Sequence, residues 1–190
     1  MENGKKIRQS LHVMLTQAEI DLEMWLAMRK ARSNDEVVKL LNRRYGRFYI
    51  AAENALFNSL ISILYKAFET RDDSVNFKQL LKNVPTNTKP EIKAELDEVQ
   101  TKIKPIWIKI SHVRNKVVGH QSLEQSAREV HALAGVKIHE LEQLVKDAQH
   151  FLCLVGQHFH DTQLTFNLKG TQSFDNLLDD LRTHNSCKPK

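Results

Sequence analysis

The sequence predicts an all-α fold, a bundle of long amphipathic helices with antiparallel neighbours. Three observations carry that expectation. Apolar residues recur three and four positions apart through most of the 190 residues, with no strand-like alternation and no internal repeat. Glycine and proline number only 6 and 4, too few for the many tight turns of a β-rich chain. Hydrophobic residues make up 41% and charged residues 27%, an ordinary globular balance that provides a core and excludes disorder as the main state.

The elements follow in order. Ile7, Leu11, Met14, Leu15, Ala18, Leu22, Trp25 and Leu26 form one face of a first long helix, which stops near Arg32–Asn34. Ser33 or Asn34 can cap the next helix, and Asp35 and Glu36 suit its first turn. That second helix is expected to run from Asp35 to Glu69. It is apolar over so much of its circumference that it belongs at the centre, with Gly46 marking a bend. A short helix over Val75–Asn83 and a Pro85–Pro90 loop come next. A further helix starts at Pro90; Pro105 should kink or split it, and Gly119 should stop it. A short helix to Leu133, a turn at Ala134–Gly135, and a long helix carrying Ile138 to Phe159 complete the main body. Residues 1–169 thus read as one helical domain, and 170–190 as a short C-terminal helix with a basic tail.

Composition also excludes several classes. No apolar run approaches the roughly 18 residues of a membrane span, and MENGKKIRQS lacks the apolar core of a signal peptide. Cys153 and Cys187 make no disulfide framework and fit a reducing cytoplasm. There is no phosphate-binding P-loop, no CxxC and no nucleophile elbow. His158, His160 and Asp161 are too far out of helical phase to share a metal ion. Glu53, Asn54 and Asn58 either hydrogen-bond in the core or face a cleft, and Cys153 reads as a small core residue.

The net charge is +5, from 28 Lys and Arg against 23 Asp and Glu. Between Val99 and Leu123 there is no acid, yet Lys102, Lys104, Lys109, Arg114 and Lys116 all fall there, with His112 and His120. Such a stretch attracts phosphates or other anions, or is a solvated lysine face. Within it, Ile103, Ile106, Trp107, Ile110, Val113, Val117 and Val118 share one helical face, and Arg114 falls in the middle of that apolar arc. An arginine aimed at a core needs a carboxylate partner or must snorkel to solvent. His120 lies six residues on, about 120° away on an unbroken helix, and Gly119 can bend the backbone to bring it closer. A guanidinium that grips phosphate beside an imidazole that moves protons, with Asn115 as a neutral donor and acceptor, is a coherent chemical pair.

The run Arg114-Asn115-Lys-Val-Val-Gly-His120 resembles the signature of HEPN domains, an arginine followed by a polar residue and, after four to six intervening positions, a histidine. A Trp-bearing first helix, a long second helix containing Tyr45-Gly-Arg-Phe-Tyr-Ile-Ala-Ala-Glu-Asn, and a short Phe77-Lys-Gln-Leu-Leu helix before the Arg–His helix are similar to the AbiU-type (abortive-infection) branch, over roughly residues 8 to 160. The resemblance implies a four-helix core with short accessory helices, and a homodimer in which the Arg–His helices meet about a two-fold axis. It implies a metal-independent, cofactor-free endoribonuclease with Arg114, His120 and Asn115 as catalytic residues, and Lys109, Lys116, His112 and Lys102 as RNA contacts. It also implies a toxin or anti-phage role, with an antitoxin protein as a neutralising partner. Some members of the family are catalytically silent and only bind RNA or a protein, so the fold alone leaves both readings open.

Overall fold

The computed structural model describes residues 2–85, 88–119, 134–160, 162–166 and 170–186. The described elements are α1 (Glu2–Ala31), α2 (Asp35–Arg44), α3 (Gly46–Phe68), α4 (Phe77–Leu81), α5 (Pro90–Val113), a π-helical turn (Arg114–Gly119), α6 (Ile138–His160) and α7 (Thr171–Ser186). No strand occurs among the described residues. The short helix expected before Leu133 lies outside them.

α1, α3, α5 and α6 form the bundle. Each contributes a fully buried stripe at helical spacing: Leu11, Leu15 and Ala18; Leu60, Ile61, Leu64 and Ala67; Ile110 and Val113; Leu144, Ala148, Leu152 and Val155. α4 closes one end. Its Phe77 packs against Phe68 and edge-on against Phe151, with ring centroids 4.8 and 4.9 Å apart. Buried Asn76 caps α4, accepting from the Gln79 N–H at 2.8 Å and donating to the Arg71 carbonyl at 2.7 Å. α7 lies across α1 and α2, and a smaller apolar cluster of Met28, Val37, Leu41, Tyr49, Phe174 and Leu178 joins them.

Two expectations change in detail. The helix expected from Asp35 to Glu69 is two helices, hinged at Tyr45, which has φ −117° and ψ 1°. The hydrogen bonds carry across the hinge, from the Tyr45 N–H to the Leu41 carbonyl at 2.7 Å and from the Tyr49 N–H to the Tyr45 carbonyl at 2.9 Å. A side chain at Gly46 would lie 3.3 Å from Asn42 Oδ1, so glycine makes room for the bend. Pro105, by contrast, does not split its helix: α5 is continuous from Pro90 to Val113. Pro105 and Thr101 are both exposed, so the Thr101 carbonyl that loses its helical donor lies on the water side, where the loss costs least. Asn34 does cap α2, its Oδ1 accepting from Glu36 and Val37 at 3.0 and 3.3 Å. Gly135 ends its turn at φ +58°, a left-handed conformation that favours glycine. No described helix is long and apolar enough to cross a membrane.

Candidate functional site

Arg114 sits where α5 passes into the π-helical turn. Its backbone is still helical (φ −57°, ψ −47°), and its N–H reaches the carbonyls of Ile110 and Ser111. From there to Gly119 the bonding widens to one residue more per turn. Each residue then advances by roughly 80°, so Gly119, five positions on, returns to within about 40° of the Arg114 direction. The apolar arc expected from the sequence holds: Ile110 and Val113 are fully buried, and Val117 and Val118 pack against the core.

The arginine itself is half-buried and is held by an aromatic face. Its guanidinium carbon lies 4.7 Å from the centroid of the Tyr65 ring on α3. Tyr65 in turn stacks on Trp107, with centroids 6.2 Å apart and planes 21° apart, and the Trp107 indole N–H points at the Tyr65 carbonyl at 3.4 Å. Arg114 Nη1 donates to Asn115 Oδ1 at 3.1 Å. No carboxylate pairs with Arg114 among the described residues. A planar cation backed by a ring and one neutral amide keeps donors for an anion.

The other sequence-selected residues divide. Asn115 and Lys116 are exposed beside the arginine, and His112 is half-buried just before it in the chain. Lys109 is tied down: Nζ lies 2.5 Å from Glu140 Oε1 and 3.4 Å from the Gly135 carbonyl. Burial pushes the Glu140 carboxyl up, but Lys109 and the Lys137 N–H outweigh it, and the net position is below the usual carboxylate range. Lys102 forms a surface pair with Glu98 at 2.8 Å, one helical turn back. His120 lies outside the described residues. A groove of about 420 Å³ is bordered by Trp107 together with Lys104, Gln100, Thr101 and Asp97.

The remaining candidates are structural in their contacts. Glu53 is buried and bonds Arg32 at 2.7 Å, with Arg29 at 3.8 Å, pinning α3 to the end of α1; Asn54 and Asn58 are exposed. Cys153 is half-buried, and burial raises its thiol pKa. Among the described residues no group of three His, Cys, Asp or Glu side chains is placed to hold a metal ion; Asp161 and the His160 side chain lie outside them. Two features of the site go beyond the sequence expectations: Tyr65 as the shelf under the arginine, and Glu140 as the partner of Lys109. Both come from helices distant in sequence, and only their type, an aromatic and an acid at helix ends, offered a signal.

A four-helix core thus carries, at the end of one helix, an arginine with an aromatic shelf and no carboxylate partner among the described residues. The family model HEPN_AbiU2, described as AbiU2, matches residues 5–182, and the chain belongs to that family, as an AbiU-type HEPN domain protein. No curated protein and no solved structure matches the chain.

Proposed function

We propose that this protein is a metal-independent endoribonuclease that cuts RNA by internal transesterification. The observation that supports it is the seat of Arg114: a guanidinium stacked on Tyr65, with no carboxylate partner among the described residues. Such a group gains most by binding a phosphodiester whose charge grows during reaction. The ribose 2′-oxygen attacks the adjacent phosphorus and loses its proton to a base. The bond to the 5′-oxygen breaks, and that oxygen takes a proton from an acid. The products are a 2′,3′-cyclic phosphate and a 5′-hydroxyl. His120 is the proton-transfer residue in this reading, Arg114 stabilises the phosphorane-like charge, and Asn115, already bonded to Arg114, orients it. A homodimer about the Arg–His helices would supply two histidines, one as base and one as acid.

Lys116 and His112 extend the positive surface, and Lys102 joins them by giving up a surface pair of small value. Lys109 reaches RNA only by releasing Glu140. The wider role consistent with the family is that of a cytoplasmic toxin or anti-phage effector restrained by a protein partner. The test is cleavage of a labelled single-stranded RNA in EDTA. Wild type is expected to cut, leaving cyclic-phosphate ends, and Arg114→Ala and His120→Ala are each expected to stop cutting while keeping the helical content of the parent and a melting point within about 5 °C of it. RNA binding without product by wild type would replace this reading with that of a silent RNA-binding module.

A further inference from the structure

One side of α3 links the Arg114 site to a second group of cations. The helix runs without a break from Gly46 to Phe68. Arg47, Asn54, Asn58 and Tyr65 are spaced seven, four and seven positions apart on it, so all four lie within about 20° of one line. Tyr65, at one end, carries the Arg114 guanidinium on its ring. At the other end Arg47 is exposed, and Arg44 and Arg43 are exposed three and four positions before it, across the hinge. None of these three arginines makes an ion pair among the described residues. The amides of Asn54 and Asn58, between the two ends, are exposed. No acid interrupts the line. The sole acid of α3 is Glu53, about 100° round the helix from Asn54 and buried in its pairs with Arg32 and Arg29.

Planar groups accompany the cations. Asn54 forms part of the wall of a groove of about 340 Å³, together with Phe57, Ile138 and Arg29. The Arg29 guanidinium lies 4.9 Å from the centroid of the Trp25 ring, and a guanidinium plane is a surface on which bases stack. Phe48, next to Arg47 in the chain, is 69% exposed. Free cations hold phosphates, amides hydrogen-bond base edges, and planar groups stack bases; the three together suit a single nucleic-acid strand. An acidic peptide would use the cations alone.

We infer that this side of α3 is the path of a single RNA strand, gripped at Arg43, Arg44 and Arg47 and led past Asn54 and Asn58 to Arg114. For its ligand the inference rests on the ribonuclease reading. Arg47 and Tyr65 are about 27 Å apart along the helix, about eight nucleotides of a stacked strand. The experiment measures binding of the full chain, by fluorescence anisotropy, to 2′-O-methyl strands of sixteen and of four nucleotides, which cannot be cut. Arg43→Ala with Arg44→Ala and Arg47→Ala is compared with Lys5→Ala with Lys6→Ala and Lys93→Ala, an equal loss of charge at exposed sites on α1 and α5. The arginine variant is expected to bind the long strand about tenfold more weakly at about 0.1 M salt, and its salt slope should fall by about 2, from about 0.7 for each lost phosphate contact. Its ratio of long-strand to short-strand affinity should fall as well. The lysine variant should stay within about threefold of wild type on the long strand. Asn54→Asp with Asn58→Asp keeps the side-chain size at two exposed positions and puts negative charge on the path; it should also weaken the long strand, with helical content unchanged. Equal losses in the two triple variants overturn the inference, as does long-strand binding that the arginine or the aspartate variant leaves unchanged. Failure of the wild type to bind either strand overturns it too. Cleavage of unmodified RNA is scored separately. A wild type that binds through these arginines but cuts nothing refutes the ribonuclease reading and leaves the path standing. A wild type that cuts, with an arginine variant that binds the long strand equally well, refutes the path alone.

Discussion

Replacing Tyr65 with leucine removes the ring beneath Arg114 while keeping an apolar side chain of useful size on α3. The guanidinium lies 4.7 Å from the ring centroid and is half-buried, between the exposed case, worth about 0.5–1 kcal/mol, and the desolvated case of about 2 kcal/mol. A coupling of about 1 kcal/mol is therefore expected between positions 65 and 114. It is read as a double-mutant cycle in urea denaturation, with Tyr65→Leu, Arg114→Ala and the double variant. In a chain of this size 1 kcal/mol moves the melting temperature by about 2–4 °C, which is measurable. The same quantity has a functional side. Losing the shelf should lower RNA cleavage about fivefold, since 1.4 kcal/mol is a factor of ten, whereas losing the guanidinium should cost about 10²–10³. Tyr65→Phe keeps a ring and should stay within about twofold of wild type. A coupling near zero, or Tyr65→Phe as damaging as Tyr65→Leu, refutes the idea that the aromatic face seats the arginine.

The Lys109–Glu140 pair, with side-chain exposures of 35% and 18%, should cost about 1–2 kcal/mol when Glu140→Gln breaks it, measured by urea denaturation at pH 7. Because the folded protein holds the Glu140 carboxyl below its ordinary position, that stability is present above about pH 4.5 and fades as pH falls through the folded value; the variant should show a correspondingly shallower acid limb. Asn76→Ala removes a buried cap and leaves the Arg71 carbonyl without that donor, an expected loss of about 2–3 kcal/mol in the same assay. The Tyr49 hydroxyl donates to the Met28 carbonyl, and burial, followed by the nearby Glu53 charge, pushes its pKa up to about 12. Ultraviolet titration should therefore show one tyrosine ionising late, and stability should decline from about pH 10 towards 12, because the unfolded chain gives up that proton first.

Most of the architecture was legible because it rests on periodicity. The stripes through Leu11–Leu22 and Leu141–Val155 could face only a core, and they do. Asn34 before Asp35 and Glu36 announced a helix start in its own chemistry. What was not legible depends on partners far along the chain or on solvent. The hinge at Tyr45 arises where α2 keeps its place against α7 while α3 enters the bundle, and no local residue announces that division beyond Gly46. The tolerance of α5 for Pro105 follows from which side faces water, a tertiary fact. At the candidate site, the sequence identified the arginine and its apolar setting but offered a carboxylate or solvent as its partner. The structure supplies an aromatic ring from forty-nine positions earlier in the chain.

The wide turn from Arg114 to Gly119 behaves as a one-residue insertion in an otherwise regular helix. Deleting any single residue inside it would let the ordinary ladder close, and four steps of about 100° would cover the same arc as five of about 80°, so Gly119 would keep its direction relative to Arg114. The wide turn thus lets the spacing after the arginine change by one residue without turning the chain. A one-residue deletion there should be tolerated more readily than a one-residue deletion in the regular part of α5.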